Sequence, residues 1–360
     1  MGDTYTINVE PLGRTVECRA DQAILDACLR AGVWLPHACT HGTCSTCKVQ
    51  VVEGDVNHNA AGAFALMEPE RDEGKTLICV ATPNSDVTIE ADVDVEEGVT
   101  YHPVSDFTGT VTELTDIARE TRRLRIELDA DIAFNPGQYV SIEVPASVPG
   151  ARESDEVQTR TYSMANPPSE SRHIELHVRR TEGGLATDGW IFRSLQVGDT
   201  VRLSGPYGRF FHRESRPEPM ILIGGGTGMA PLKSIVRHVL EEGTGQPMFL
   251  YQGARAQADL YDVEFFRSLQ AAHSDRFTYR PALSEETWDG ATGLVTDVVA
   301  GEFETCKGHT AYLCGPPPMV EAAVKMLMRK RLFPKDIYRE DFFDQRDKVG
   351  TRVRSPLLKR

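Results

Sequence analysis

The chain opens on strict alternation. In TYTINVE (4–10) the apolar Tyr5, Ile7 and Val9 fall on one side, and RTVECRA (14–20) repeats the period with Val16 and Cys18, so two half-buried strands are predicted. The period then lengthens to that of a helix. In QAILDACLRA (22–31) Ile24, Leu25, Cys28 and Leu29 share a face, with Asp21 placed to cap the start and Gly32 to end it. After a loop holding three cysteines come KVQVVEG (48–54), LICVA (77–81) and DVTIEADV (86–93), further strand-like stretches that suit a small mixed fold. The acidic DVEEGVTYHP (94–103) reads as a linker.

The next stretch is rich in strands: FTGTVTELTDI (107–117), TRRLRIELD (121–129), GQYVSIEVP (137–145), TRTYSMAN (159–166), HIELHVRRT (173–181) and TVRLSGPYG (200–208). Short strands separated by Gly and Pro predict an antiparallel barrel. From residue 220 strand and helix alternate: MILIGGG (220–226), a helix from Pro231 with Leu232, Ile235, Val236, Val239 and Leu240 as its apolar stripe, MFLYQGA (248–254), VEFFRSLQAAH (263–273), TAYLCGPPP (310–318) and MVEAAVKMLMRK (319–330). That alternation predicts a doubly wound parallel α/β sheet. The expected division is 1–96, a linker at 97–104, 105–215 and 216–360, a multidomain α+β and α/β chain.

Length agrees, since 360 residues exceed what one core organises. With 40% hydrophobic and 26% charged residues the composition is globular. No eighteen-residue apolar run occurs, and the first residues lack the basic and apolar regions of a signal peptide, so a cytoplasmic protein without membrane contact is expected. The net charge of -14 is uneven: residues 1–100 carry 17 Asp or Glu against 6 Lys or Arg. Nucleic acid is disfavoured, and the acidic region is either a solvated surface or a docking face for a basic partner.

Eight cysteines in an intracellular chain point to thiol or metal chemistry. Cys39, Cys44 and Cys47 have C-x4-C-x2-C spacing, and thirty-one residues lie between Cys47 and Cys79. A c-type haem would need His where Lys48 stands, and a Rieske centre would need a second His where Gln50 stands. Structural zinc prefers two close pairs, and a redox pair of Cys44 and Cys47 would leave Cys39 and Cys79 unexplained. A plant-type 2Fe-2S cluster uses all four thiolates, with Gly42 and small neighbours letting the backbone wrap the sulfurs. His37 and His41 then read as loop-surface residues, and Cys18, Cys28 and Cys306 as ordinary semi-buried ones. The turn IGGGTGMAP (223–231) follows a strand and opens a helix, which suits a pyrophosphate, although Met229 replaces the third glycine of the dinucleotide fingerprint.

ACTHGTCSTCKVQVVEGDV (38–56) with LICVA resembles plant-type ferredoxins, which implies a β-grasp fold. RTYSMAN (160–166) and YLCGPPPM (312–319) resemble the flavin and nicotinamide motifs of the ferredoxin-NADP reductase family. The resemblance implies Arg160 on a flavin phosphate, Thr161 beside it, Tyr162 against the isoalloxazine and Ser163 near its reactive nitrogen. It further implies Val178, Arg179, Gly183, Gly184 and Thr187 around the ribityl and pyrophosphate, with Asp188 as an extra residue. Gly225, Gly226, Thr227, Gly228, Gly315 and Pro316 would line the nicotinamide nucleotide. Cys314 would sit near the nicotinamide, Glu340 by the flavin and Phe342 over its face.

The order of the three regions resembles the reductase component of soluble di-iron monooxygenases of the phenol hydroxylase and alkane or propane monooxygenase type. Reductases of Rieske ring-hydroxylating dioxygenases share it and remain the alternative, as does a zinc-binding interaction module joined to a nucleotide domain. The implied cofactors are FAD, a 2Fe-2S cluster and NADH. NADH is preferred to NADPH because Asp259 would repel a 2'-phosphate that Arg255 could otherwise bind. The implied chemistry is electron transfer, with Ser163, Cys314 and Glu340 tuning the reacting rings, by a monomer docking its oxygenase component near the acidic ferredoxin domain.

Overall fold

The alternation at the start of the chain folds as an antiparallel hairpin of β1 (Thr4–Glu10) and β2 (Arg14–Arg19), with Ile7, Val9, Val16 and Cys18 buried. α1 (Ile24–Arg30) packs against β2. β3 (Lys48–Glu53), β4 (Val56–Asn57), α2 (Glu68–Asp72), β5 (Lys75–Leu77), β6 (Thr82–Pro83) and β7 (Val87–Glu90) follow. The main sheet has the order β2-β1-β7-β3-β5, with β1 and β7 parallel and a helix against it, which is a β-grasp. The computed structural model describes residues 2–93, 96, 98–151 and 157–342. Part of the expected linker and the C-terminal SPLLKR lie outside the described residues.

Two expectations fail here for one reason. Asp21 does not cap α1; it pairs with Arg19 at 3.0 Å on the surface. The free N–H groups of Ile24 and Leu25 donate instead to the carbonyls of Ala81 and Ile78, at 3.0 and 2.9 Å. LICVA is accordingly not a strand beyond Leu77. Its remaining residues turn over the helix start and supply the acceptors a capping side chain would have given.

The chain forms two compact units, Met1–Ser105 with Gly205–Arg209, and Asp106–Ser204 with Phe210–Arg360. All but Ser105 and Gly205–Tyr207 of the next six strands belong to the second unit: β8 (Ser105–Ala118), β9 (Thr121–Leu128), β10 (Tyr139–Glu143), β11 (Thr159–Ser163), β12 (His173–Arg179) and β13 (Thr200–Tyr207), in the order β11-β10-β13-β8-β9-β12. An isolated antiparallel bridge from Met164 to Leu176 ties the two ends of that sheet and closes the barrel.

The rest of the second unit comprises β14 (Met220–Gly225), α3 (Met229–Glu242), β15 (Met248–Ala254), α4 (Val263–Ala272), β16 (Phe277–Leu283), β17 (Ala291–Thr292), α5 (Val295–Glu302), β18 (Thr310–Gly315), α6 (Pro317–Arg329) and β19 (Ile337–Asp341). The sheet is parallel, in the order β17-β16-β15-β14-β18-β19. β14 and β18 are buried at every position, as strands covered on both faces must be. Strand order reverses between β14 and β18, so the carboxyl ends of these neighbours flank the crevice where such sheets bind ligands. α3 starts at Met229, two residues before the expected Pro231, behind a 3-10 turn over Gly226–Gly228. Proline is tolerated there because N–H groups of the first turn have no helical acceptor.

Candidate functional site

The loop between α1 and β3 turns sharply around Cys39, Cys44 and Cys47. Thr40, Gly42 and Ser45 have φ of 57°, 78° and 62°, the left-handed region. Those turns aim backbone donors at sulfur: Thr43 N–H reaches Cys39 Sγ at 3.4 Å and Cys39 N–H reaches Cys44 Sγ at 3.5 Å. A Cβ on Gly42 would stand 3.2 Å from the Ala60 carbonyl, so the loop closes tightly here. Cys79 arrives from the turn after β5, and all eight cysteines are free thiols.

The four sulfurs are mutual neighbours in a chain, Cys44 with Cys39, Cys39 with Cys79, and Cys79 with Cys47. Hydrogen bonds from Cys44 and Cys79 hold the Cys39 thiol low, and one from Cys79 does the same for Cys47; Cys44 and Cys79, the donors, are held high. A tetrahedral zinc would need every sulfur pair about 3.8 Å apart. Among the described residues only Glu175, His177 and Asp262 bring three ligand atoms within 4.8 Å of one another. The four sulfurs are therefore not gathered as a single tetrahedral zinc requires.

His41 is exposed as expected, but His37 is not on the surface: it is 1% exposed. Its Nδ1 donates to the Leu35 carbonyl at 2.8 Å, and its Nε2 accepts the Gly208 N–H at 2.9 Å. Burial lowers its pKa to about 4, so the ring is neutral. Cys18, Cys28 and Cys306 are likewise fully buried where semi-burial was expected, and burial pushes the Cys28 thiol up to about 12.

In the second unit β11 presents Arg160, Thr161 and Tyr162 half-buried, with Tyr162 packed on the barrel core. Ser163 ends the strand, 7% exposed. Val178 lies in the core at the end of β12, while Arg179 and Gly183 are exposed. Asp188, which looked like an inserted residue, sits in a π-turn over Thr187–Ile191. Gly189, Ile191 and Phe192 N–H groups donate to the carbonyls five positions back, as in a π-turn. Asp188 accepts from Arg180 Nε at 2.8 Å and from Gly183 N–H at 3.1 Å, and Thr187 Oγ1 accepts the Thr181 N–H at 3.1 Å. The Asp188 and Thr187 side chains thus staple the loop.

At the switch point, Gly226 has φ 55° and Gly228 lies against β18: a Cβ on Gly228 would fall 2.2 Å from the Cys314 carbonyl oxygen. Only glycine lets the turn and β18 approach so closely. Gly225 ends β14 beside it, Thr227 is half-buried, and Gly315 and Pro316 lead into α6. The Cys314 side chain is fully buried and its thiol is pushed well up by burial and by Glu340, its partner across β18 and β19. Ser163 Oγ donates to Glu340 Oε2 at 3.4 Å, and Phe342 N–H donates to the Gly315 carbonyl at 3.0 Å. Asp259, invoked against a 2'-phosphate, is engaged by Arg119 at 2.6 and 2.8 Å.

The donor sets fit their groups: four soft thiols for iron and sulfur, a barrel edge with Arg160 and a stapled glycine loop for a flavin, and a glycine turn at a switch point for a dinucleotide. Among the described residues no helix is long and apolar enough to cross a membrane. The chain matches the 2Fe-2S iron-sulfur cluster binding domain family over residues 7–84, the oxidoreductase FAD-binding domain family over 108–212 and the oxidoreductase NAD-binding domain family over 222–325. It is 47% identical to the reductase component of phenol 2-monooxygenase from Pseudomonas sp. (strain CF600), over 99% of each chain. It is 44% identical to the phenol hydroxylase P5 protein of Acinetobacter pittii, again over 99% of each. A cytochrome P450 reductase from Amycolatopsis superposes with a TM-score of 0.86 at 42% identity, covering 94% of this chain and 99% of that one. The chain therefore belongs to the family of NAD-dependent flavin iron-sulfur reductases that includes the reductase component of phenol 2-monooxygenase.

Proposed function

We propose that this chain is the reductase component of a soluble di-iron aromatic monooxygenase, taking electrons in pairs from NADH and delivering them singly to a separate oxygenase component. The observation that carries this reading is the presence in one chain of a four-thiol loop, a flavin-type barrel and a switch-point glycine turn, in the order of the full-length relatives. A bound flavin supplies the step between two-electron and one-electron chemistry.

The residues divide the work. Cys39, Cys44, Cys47 and Cys79 would together hold the cluster, with the Thr43 and Cys39 N–H groups directed at sulfur. Arg160 would pair with a flavin phosphate beside Thr161, Tyr162 would lie against the ring, and Val178, Arg179, Gly183, Gly184 and Thr187 would carry the ribityl and pyrophosphate. Ser163 and Glu340 form one hydrogen-bonded pair at the reacting edge, where Glu340 can hold a proton near neutral pH. Gly225, Gly226, Thr227, Gly228, Gly315 and Pro316 would receive the nicotinamide nucleotide, Cys314 would support that surface through its backbone, and Phe342 would cover the flavin ring. The functional boundaries are 1–96, 97–104, 105–215 and 216–360, in a cytoplasmic monomer.

The oxygenase docks on the ferredoxin domain. Phe64 is 82% and Met67 53% exposed there, on the segment whose Ala65 carbonyl accepts from Ser45 Oγ of the cysteine loop at 3.0 Å, and Glu68 and Asp72 follow in sequence. The likeness to a cytochrome P450 reductase favours a haem monooxygenase as the second reading. Reduction of a phenol-type di-iron oxygenase and of an aromatic-demethylating P450 by this reductase and NADH, followed by stopped-flow absorption, separates them. Faster reduction of the P450 would reverse the assignment.

A further inference from the structure

The second unit holds a charged interior that none of the cofactor sites uses. It lies where β12 of the barrel meets the N-terminal half of α3 and the residue before α4. Glu175 on β12 is 2% exposed; its Oε1 accepts from Lys233 Nζ at 2.7 Å and lies 2.9 Å from His177 Nε2, and its Oε2 accepts Arg125 Nη2 at 2.6 Å. Lys233 also donates to Asp262 Oδ2 at 2.6 Å, and Arg123 to Asp262 Oδ1 at 2.5 Å. Glu175, His177 and Asp262 would suit a metal by spacing, but the Lys233 ammonium already bridges the two carboxylates. A second cation there would meet the first.

Burying such a cluster costs desolvation that an apolar packing would avoid, so a definite geometry is what it supplies. The geometry leads to the nucleotide turn. Asp262 has φ 55°, in the left-handed region, which Asp enters more readily than most non-glycine residues. The preceding Tyr261 is 4% exposed, stands edge-on to the His177 ring at 5.0 Å between centroids, and donates its hydroxyl to the Gly226 carbonyl at 2.9 Å. The Tyr261 carbonyl in turn accepts Gln252 Nε2 at 3.3 Å, and Tyr279 donates its hydroxyl to Gln252 Oε1. A continuous set of contacts thus runs from the barrel through Glu175, Lys233, Asp262 and Tyr261 to the glycine-rich turn.

We propose that this ion cluster is a positioning device for the nicotinamide nucleotide: Glu175, Lys233 and Asp262 fix Tyr261, and Tyr261 fixes the turn at Gly226 with respect to the barrel. The proposal rests on the reading of that turn as the nucleotide site. The three charged residues act through Tyr261 and are positioning residues.

The test uses the full-length reductase with flavin and cluster in place, and reads NAD+ affinity by calorimetry on the oxidised protein, NADH KM and kcat, and flavin content. Wild type must bind NAD+; failure there would overturn the reading of the turn and not the device. Tyr261→Phe, which removes a single hydroxyl, should weaken NAD+ binding and raise the NADH KM about fivefold while flavin content and kcat are kept. Glu175→Gln, a change on the barrel, should weaken NAD+ binding in the same direction. The double variant should be no weaker than the weaker-binding single, because both changes interrupt one route. Wild-type affinity in Tyr261→Phe, or losses that simply add in the double variant, would overturn the proposal. Should Glu175→Gln not fold, Asp262→Asn takes its place in the same cycle.

Discussion

Ser163 Oγ and Glu340 Oε2 meet at 3.4 Å across 177 positions of sequence, joining the end of β11 in the barrel to β19, the last strand of the parallel sheet. Burial, helped by the neighbouring Asp341 and opposed by the Ser163 hydroxyl, holds the Glu340 carboxyl up at about 8. This pair gives the second unit a titrating group in the physiological range.

A carboxyl that is protonated in the folded chain and ionised in the unfolded one binds more protons when folded, so its contribution to stability is fully present below the unfolded value and lost as pH rises towards about 8. The thermal midpoint of the flavin-free protein should fall between pH 5 and pH 8 more steeply in wild type than in Glu340→Gln. Parallel pH profiles for the two proteins would contradict the raised carboxyl.

Cys79 closes the thiol chain by contacting both Cys39 and Cys47. Cys79→Ser should lose the broad visible absorption of the cluster yet still bleach its flavin with NADH under anaerobic conditions, while transfer to the oxygenase stops. Unimpaired coupled turnover by this variant would remove Cys79 from the ligand set.

Gly228 leaves no room for a side chain, because its Cβ would lie 2.2 Å from the Cys314 carbonyl oxygen. Gly228→Ala should force the turn away from β18, lower stability by about 1–3 kcal/mol in urea unfolding, and raise the NADH KM. A variant with wild-type values for both would mean the turn relaxes freely.

His37 is the acceptor for the Gly208 N–H. His37→Leu leaves that donor unpaired in a buried place, a loss of about 1–3 kcal/mol measurable by urea unfolding. His41→Leu, at an exposed position, should change stability little, and equal losses in the two variants would count against the buried bond.

The uneven charge predicts a salt effect. If the acidic ferredoxin domain carries the docking face, reduction of the oxygenase should slow markedly between 0.05 and 0.5 M NaCl, whereas reduction of the flavin by NADH should not. Equal sensitivity of the two steps would move docking elsewhere.

Much of the fold was legible because it is written in local periodicity. Every barrel strand overlaps one of the short strand-like stretches set between Gly and Pro, and β14, β15 and β18 appear as short apolar runs before glycines. β16, α5 and β19 were not picked out. β16 carries Arg280 in its middle and β19 reads IYRED, so neither has the continuous apolar run of the central strands. Asp21 carried a capping signal in sequence, but a turn folded over the helix start supplied the acceptors first.

The sequence by itself determined the chemistry whose partners lie close along the chain. The spacing of Cys39, Cys44 and Cys47, the RTYS stretch and the glycine turn are each short, because a cluster loop and a phosphate cradle are built from consecutive backbone. Only the tertiary structure decided the groups whose partners come from distant elements: the burial of His37 against Gly208, the meeting of Ser163 with Glu340, and the Lys233 cluster that joins β12 to α3 and Asp262. A lone Lys or Glu in a strand or helix reads as surface. Its burial and its pairing depend on which elements pack against it, and no local pattern records that.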